Sequence, residues 1–193
     1  MLLSHHGHAD NLDRAGREFA MRVPLVLALP EAEAELGGPV VGLRPWQQHA
    51  IGDAVTVTAL PGRHGPRILE SRIGPVTGFL VTAPGEPSLY VSGDNSSLRL
   101  VRGHAVRIGP VDVAVLFVGA ARVAPLPAAL TLTSVKAARA AELLGARAVV
   151  GVHVEDWAHF SESRADLERA FADAGLASLL VTTPRGERVA LEL

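Results

Sequence analysis

The chain has 193 residues, 48% of them apolar and 20% charged. That composition excludes a disordered or collagen-like chain, and the length predicts one domain with its own core. Eighteen basic against 20 acidic residues leave a net charge of −2, so no bulk field draws the chain to nucleic acid or to an anionic membrane. The absence of cysteine excludes disulfides, thiolate metal sites and a cysteine nucleophile.

In chain order, β-branched apolar runs predict strands at Val23–Leu29, Ala54–Leu60, Val76–Thr82, Ser88–Val91, Val111–Val118, Ala146–Val152 and Leu179–Thr183. Helical patterns cover Asn11–Ala20, Glu31–Leu36, Ser134–Leu144 and Glu162–Ala174. Thr133 or Ser134, and Ser161 or Ser163, are the N-cap candidates, and Gly145 and Gly175 stand where helices stop. The stretch Ser96–Arg107 fits neither pattern cleanly. Gly119–Thr131, with Pro125 and Pro127, reads as a long ordered loop. Interleaved strands and helices predict a layered α/β protein. No apolar run reaches the ~20 residues of a spanning helix. The opening Met1–His5 lacks the basic and apolar parts of a signal peptide, so a cytoplasmic protein is expected.

The segment from Ser4 to Asp13 holds three histidines and two carboxylates. Imidazole suits zinc and similar ions, and a carboxylate adds charge and a harder donor. His6 and His8 are two apart, so an extended backbone turns both rings to one side, and Asp10 continues that register. Either His5 or His6 can serve as the first ligand; the spacing to His8 and Asp10 favours His6. Three further candidates follow predicted strands: His64 after Ala54–Leu60, Asp94 after Ser88–Val91, and His153 after Ala146–Val152. Loops at one sheet edge are where a scaffold gathers residues remote in sequence.

These residues resemble the metallo-β-lactamase fold superfamily, marked by His-x-His-x-Asp-His followed by separate His, Asp and His ligands. Within it the sequence looks most like metal-dependent hydrolases of the ascorbate-6-phosphate-lactonase-like branch. The likeness rests on Ser4–Asp13, Arg63-His64-Gly65-Pro66, Ser92-Gly93-Asp94, Gly119–Arg122, Leu130–Thr133 and the run from Val152 to Phe160. The resemblance implies a four-layer αββα sandwich, as one domain over residues 1–193. It further implies His6, His8 and His64 on one metal, Asp10 and His153 on a second, and Asp94 between them. Asn11 stands where the family has its last histidine, and a neutral amide is a poor ligand. Family members also carry a few dozen residues before the histidine motif, so an N-terminal half lacking strands is expected. Exposed strand edges would then favour self-association into a homo-oligomer.

The expected activity is metal-dependent hydrolysis, in which hydroxide on one or two Zn²⁺ ions, or alternatively Mn²⁺, attacks a lactone, ester or related bond of a small molecule. Asp10 is the expected catalytic carboxylate, orienting the hydroxide or taking its proton. Trp157, His159 and Arg63 are candidates to contact substrate, and Glu155 and Asp156 to fix the His153 ring. The competing expectation, motivated by Asn11, is a non-catalytic metal-binding remnant of the same fold.

Overall fold

A computed structural model describes residues 1–193 except 125, 127, 156 and 192. The expected loop prolines Pro125 and Pro127 therefore lie outside the described residues. Strands are β1 (Val26–Ala28), β2 (Val40–Gly42), β3 (Gln48–Ile51), β4 (Val55–Pro61), β5 (Thr77–Thr82), β6 (Leu89–Val91), β7 (Val113–Phe117) and β8 (Ala148–Val152). Helices are α1 (Arg14–Ala20), α2 (Pro30–Leu36), α3 (Glu70–Ile73), α4 (Leu98–Ile108), α5 (Ser134–Leu144) and α6 (Arg164–Asp173).

Strands β3 to β8 form one six-stranded sheet in sequence order, and β1 and β2 form a parallel pair. Side-chain alternation builds the layers from these two sheets. In β1, Val26 and Ala28 face a core with Ala20 of α1 and Ala32 of α2, whereas Leu27 faces Val57 and Ala59 of β4 and Phe79 of β5. The opposite face of the large sheet, with Leu60, Tyr90, Ala114 and Leu116, packs on Ala137, Ala141 and Leu144 of α5 and on Leu167 and Phe171 of α6. The layers are thus α1 and α2, the small sheet, the large sheet, and α4 to α6. This is the αββα sandwich that the resemblance implies.

The predicted elements hold in their middles and move at their ends. The first helix starts at Arg14 because Asp13 caps it, its carboxylate accepting from the Gly16 amide at 2.7 Å. Thr133 caps α5, and Ser163 with Asp166 forms a capping box on α6. The ambiguous stretch after Ser96 becomes α4. Leu179–Thr183 is not a strand: a 3₁₀ turn spans Ala177–Leu179, and Leu180 makes only a single bridge to Val149. Strands β2 and β3 fall where none is predicted; β3 is a mostly exposed edge with no apolar alternation to betray it.

Topology fixes where the loops converge. β4 and β6 each run antiparallel to β5, and β6, β7 and β8 are mutually parallel, so β4, β6, β7 and β8 end at one edge. The chain start joins that edge: Leu2 bridges Leu27, and the Thr77 amide at the head of β5 donates to the Ser4 carbonyl at 3.0 Å.

His104 of α4 secures the end of β4. Its Nε2 donates to the Pro61 carbonyl at 3.0 Å, which leaves Nδ1 to accept from the Tyr90 hydroxyl at 3.1 Å. Burial lowers its pKa from 6.5 to about 4, with the Pro61 bond opposing. The folded value lies below the unfolded one, so protonation favours the unfolded chain and stability is lost as pH falls through that window. Urea unfolding should show stability rising between pH 4 and 6.5, and His104→Asn should remove part of that slope, on the order of 1–3 kcal/mol.

Candidate metal centre

The polar side chains of the β4, β6 and β8 loops meet those of the N-terminal segment at this edge. Ser4 anchors the segment: its hydroxyl accepts from the Asp94 amide at 3.1 Å, next to Gly93. Gly93 has a φ of +55°, and a Cβ there would run into the Thr77 carbonyl oxygen and the Ser4 side chain. The close approach of the two segments thus requires glycine. It brings the buried ring of His5 inward, with its Nε2 2.9 Å from His8 Nδ1.

His5, His8 and His64 each offer a nitrogen within 4.8 Å of the other two. The His64 Nδ1 lies 2.9 Å from the Leu130 carbonyl and 3.2 Å from that of Asp94. Carbonyls only accept, so Nδ1 carries the proton and Nε2 presents a lone pair toward Asp94 Oδ2, at 3.9 Å. His5 Nδ1 lies at the same 3.9 Å from that oxygen. On the other side, His153 donates from Nδ1 to the Val118 carbonyl at 3.3 Å, and its Nε2 lies 3.9 Å from both Asp94 Oδ1 and Asp10 Oδ2. His153 adopts φ +60°, a left-handed conformation that costs a residue with a Cβ about 1–3 kcal/mol and clusters at functional sites.

Asp94 sits between the two groups and is 1% exposed. Burial raises its pKa to about 6, opposed chiefly by His64. Burial lowers His5 to about 3, reinforced by His64 and His8, and it also lowers His64 and His153. Three buried atoms here, His5 Nδ1, Asp94 Oδ1 and His153 Nε2, have no hydrogen-bond partner. Such orphans are costly unless something charged completes them. Separations of 3.9 Å exceed a hydrogen bond, yet two donors each about 2.0–2.2 Å from a shared ion lie up to ~4 Å apart. The donor set therefore fits a divalent cation.

His8, Asp10, His64, Asp94 and His153 come together as the sequence predicts. Of the two alternatives for the first position, the ring of His5 turns inward and that of His6 does not. His6 Nε2 instead meets Glu35 of α2 at 3.0 Å, and Arg17 ties the same pair by bonds to Glu35 and to the His6 carbonyl. The cause is the Ser4 anchor, which aims residue 5 inward and the next side chain out. Asn11 donates its side-chain amide to the His5 carbonyl.

His159, expected to contact substrate, meets a carboxylate of the cluster. Its Nε2 lies 2.9 Å from Asp10 Oδ2, although 149 residues separate the two. No local signal marks that pairing; only the fold makes it. Trp157 is 46% exposed beside the His159 ring, and Arg63 points to Ser97. Glu155 pairs with Arg185 at 3.7 Å rather than holding His153, and Asp156 lies outside the described residues.

The beta-lactamase superfamily domain model matches residues 2–154. A UPF0173 metal-dependent hydrolase of Pyrococcus abyssi is 26% identical over 99% of this chain and 81% of its own length. A second, from Pyrococcus horikoshii, is 25% identical over the same shares. Among solved structures, isothiocyanate hydrolase from Delia radicum gut bacteria superposes with a TM-score of 0.81 at 21% identity, covering 98% of this chain and 75% of that one. The metallo hydrolase Igni18 from Ignicoccus hospitalis gives 0.77 at 20% identity, covering 100% and 78%.

The geometry separates two adjacent histidines. Purified His5→Ala should lose tightly held metal, measured by elemental analysis, whereas His6→Ala should retain it within twofold of the parent. The reverse result would restore the spacing-based choice of His6.

Proposed function

The chain belongs to the beta-lactamase superfamily domain family and is a metal-dependent hydrolase, and we propose that it opens a lactone, ester or related bond of a small molecule. The observation that carries this reading is the convergence of buried, unpartnered donors on His5, Asp94 and His153. His5, His8 and His64 would hold one cation, Zn²⁺ by the weight of imidazole or alternatively Mn²⁺. Asp10 and His153 would hold a second, with Asp94 offering one carboxylate oxygen to each side.

Bound metal supplies Lewis-acid chemistry, activating water at neutral pH and polarising the bond under attack. The remaining work falls to side chains. The Asp10 carboxylate, oriented by His159 Nε2 against its Oδ2, would take up a proton from water. The Leu130 and Val118 carbonyls hold His64 and His153 in the tautomers that present Nε2 to the centre. With Asn11 turned to the His5 carbonyl, His159 supplies the imidazole beside Asp10 that the family motif would place at position 11. Trp157, exposed next to it, would border the substrate.

Dialysis against a chelator should remove metal and abolish turnover across a panel of lactones, esters and phosphodiesters, and Zn²⁺ or Mn²⁺ should restore both. Full metal occupancy without turnover of any substrate class would instead establish the non-catalytic remnant. His159→Ala should lower the ratio of metal to protein while His8→Ala lowers it further, both read by elemental analysis. An unchanged ratio in His159→Ala would confine that residue to orienting Asp10.

A further inference from the structure

Five cationic side chains, Arg63, Arg67, Arg99, Arg122 and Lys136, line one cavity of about 630 Å³, and among the described residues no Asp or Glu lines it. That is within the ~300–1,000 Å³ of small-molecule pockets. Lys136 is the only lysine in the chain.

Some arginines elsewhere have carboxylate partners, as Arg14 with Glu18, Arg17 with Glu35 and Arg147 with Asp112. At the cavity, Arg63 and Lys136 bond to neutral partners. Arg63 Nη2 donates to the Ser97 hydroxyl at 2.5 Å, and Lys136 Nζ to the Ser96 carbonyl at 3.2 Å. Among the described residues, Arg63, Arg67, Arg99 and Lys136 form no ion pair. Both anchored heads keep unused donors, because a guanidinium has five N–H groups and an ammonium three. Glu70 adjoins Arg63, Arg67 and Arg99 in the neighbouring cavity without an ion pair to any of them, so the gathered cations repel one another in a way that a bound anion would relieve.

The cavity also shares a wall with the metal centre. Arg63 and Gly65 bracket His64 in sequence, and Ser96 follows Asp94 by two residues. The Gly65 amide donates to Ser96 Oγ at 3.0 Å, joining the two loops. None of the proposed metal donors lines the cavity, so its charge is available to a second ligand group.

We propose that this cavity binds the anionic oxygen group, phosphate or carboxylate, of a small-molecule substrate whose reacting bond lies at the neighbouring metal centre. Arginine presents paired donors that match such oxygens, and several together select for more than one negative charge. The placement of the reacting bond rests on the hydrolase reading; the anion site itself does not.

Calorimetric titration of the holoprotein with inorganic pyrophosphate and with citrate distinguishes the two oxygen chemistries. At least one should bind with an affinity that falls as salt rises, and Arg67→Ala/Arg99→Ala should weaken it at least tenfold with metal content unchanged. Arg147→Ala, paired with Asp112 at the starts of β8 and β7, opposite the loop edge, should leave binding intact. His8→Ala, depleted of metal, should still bind the anion, so failure of the metal reading and failure of the anion site give different results. Equal binding by the double variant and the parent, or no binding of either probe, would overturn the proposal. So would tighter binding of a single-stranded oligonucleotide than of pyrophosphate, lost in the same double variant, which would make the cavity a nucleic-acid contact.

Discussion

The structure turns on one buried carboxylate. Asp94 is almost fully enclosed, its Oδ1 lacks a hydrogen-bond partner, and imidazole nitrogens approach both of its oxygens at distances too long for hydrogen bonds. An isolated ionised carboxylate in such a place is strongly disfavoured, and a neutral one would need an acceptor for its proton. A divalent cation beside it would resolve both problems at once. Much of the surrounding backbone serves to hold that arrangement: the left-handed Gly93, the Ser4 hydroxyl on the Asp94 amide, and the carbonyls behind His64 and His153.

The sheet explains why residues so remote in sequence can share this carboxylate. Alternation of strand direction between β4 and β6, followed by parallel pairing through β8, puts three loop starts at a single edge. Parallel strands need long crossovers, and α4 and α5 supply them while covering one face. The N-terminal segment reaches the same edge by lying along β1 and closing on Thr77. The opposite layer, with α1 and α2 on the small sheet, then fixes the outward side of the histidine loop through Glu35 and Arg17.

Much of this was legible from residue order alone, and the exceptions have physical causes. His64, Asp94 and His153 could be placed because each directly follows an apolar β-branched run and adjoins small residues. The choice between His5 and His6 could not, because both lie in irregular backbone where contacts with Ser4, Asp94 and Glu35 decide which ring turns inward. Helix α4 was obscured by Arg99, Arg102 and His104 interrupting its apolar period, yet His104 is buried, its two nitrogens satisfied by Pro61 and Tyr90. Strand β3 is polar and exposed, so it owes its form to pairing with β4 rather than to its own pattern. The Leu179–Thr183 run has strand composition, but only Leu180 finds a bridge partner.

The pairing of His159 with Asp10 and the cluster of cations at the cavity bear on each other. Where the histidine motif ends in Asn11, the amide closes the loop on the His5 carbonyl, and an imidazole from the segment after β8 meets Asp10 instead. That moves part of the centre from one rigid loop onto the segment that also carries Trp157 and Phe160. Arg122, whose amide donates to the His159 carbonyl at 2.8 Å, links this segment to the cationic cavity. The same backbone therefore joins Asp10 to the wall that would hold an anionic group.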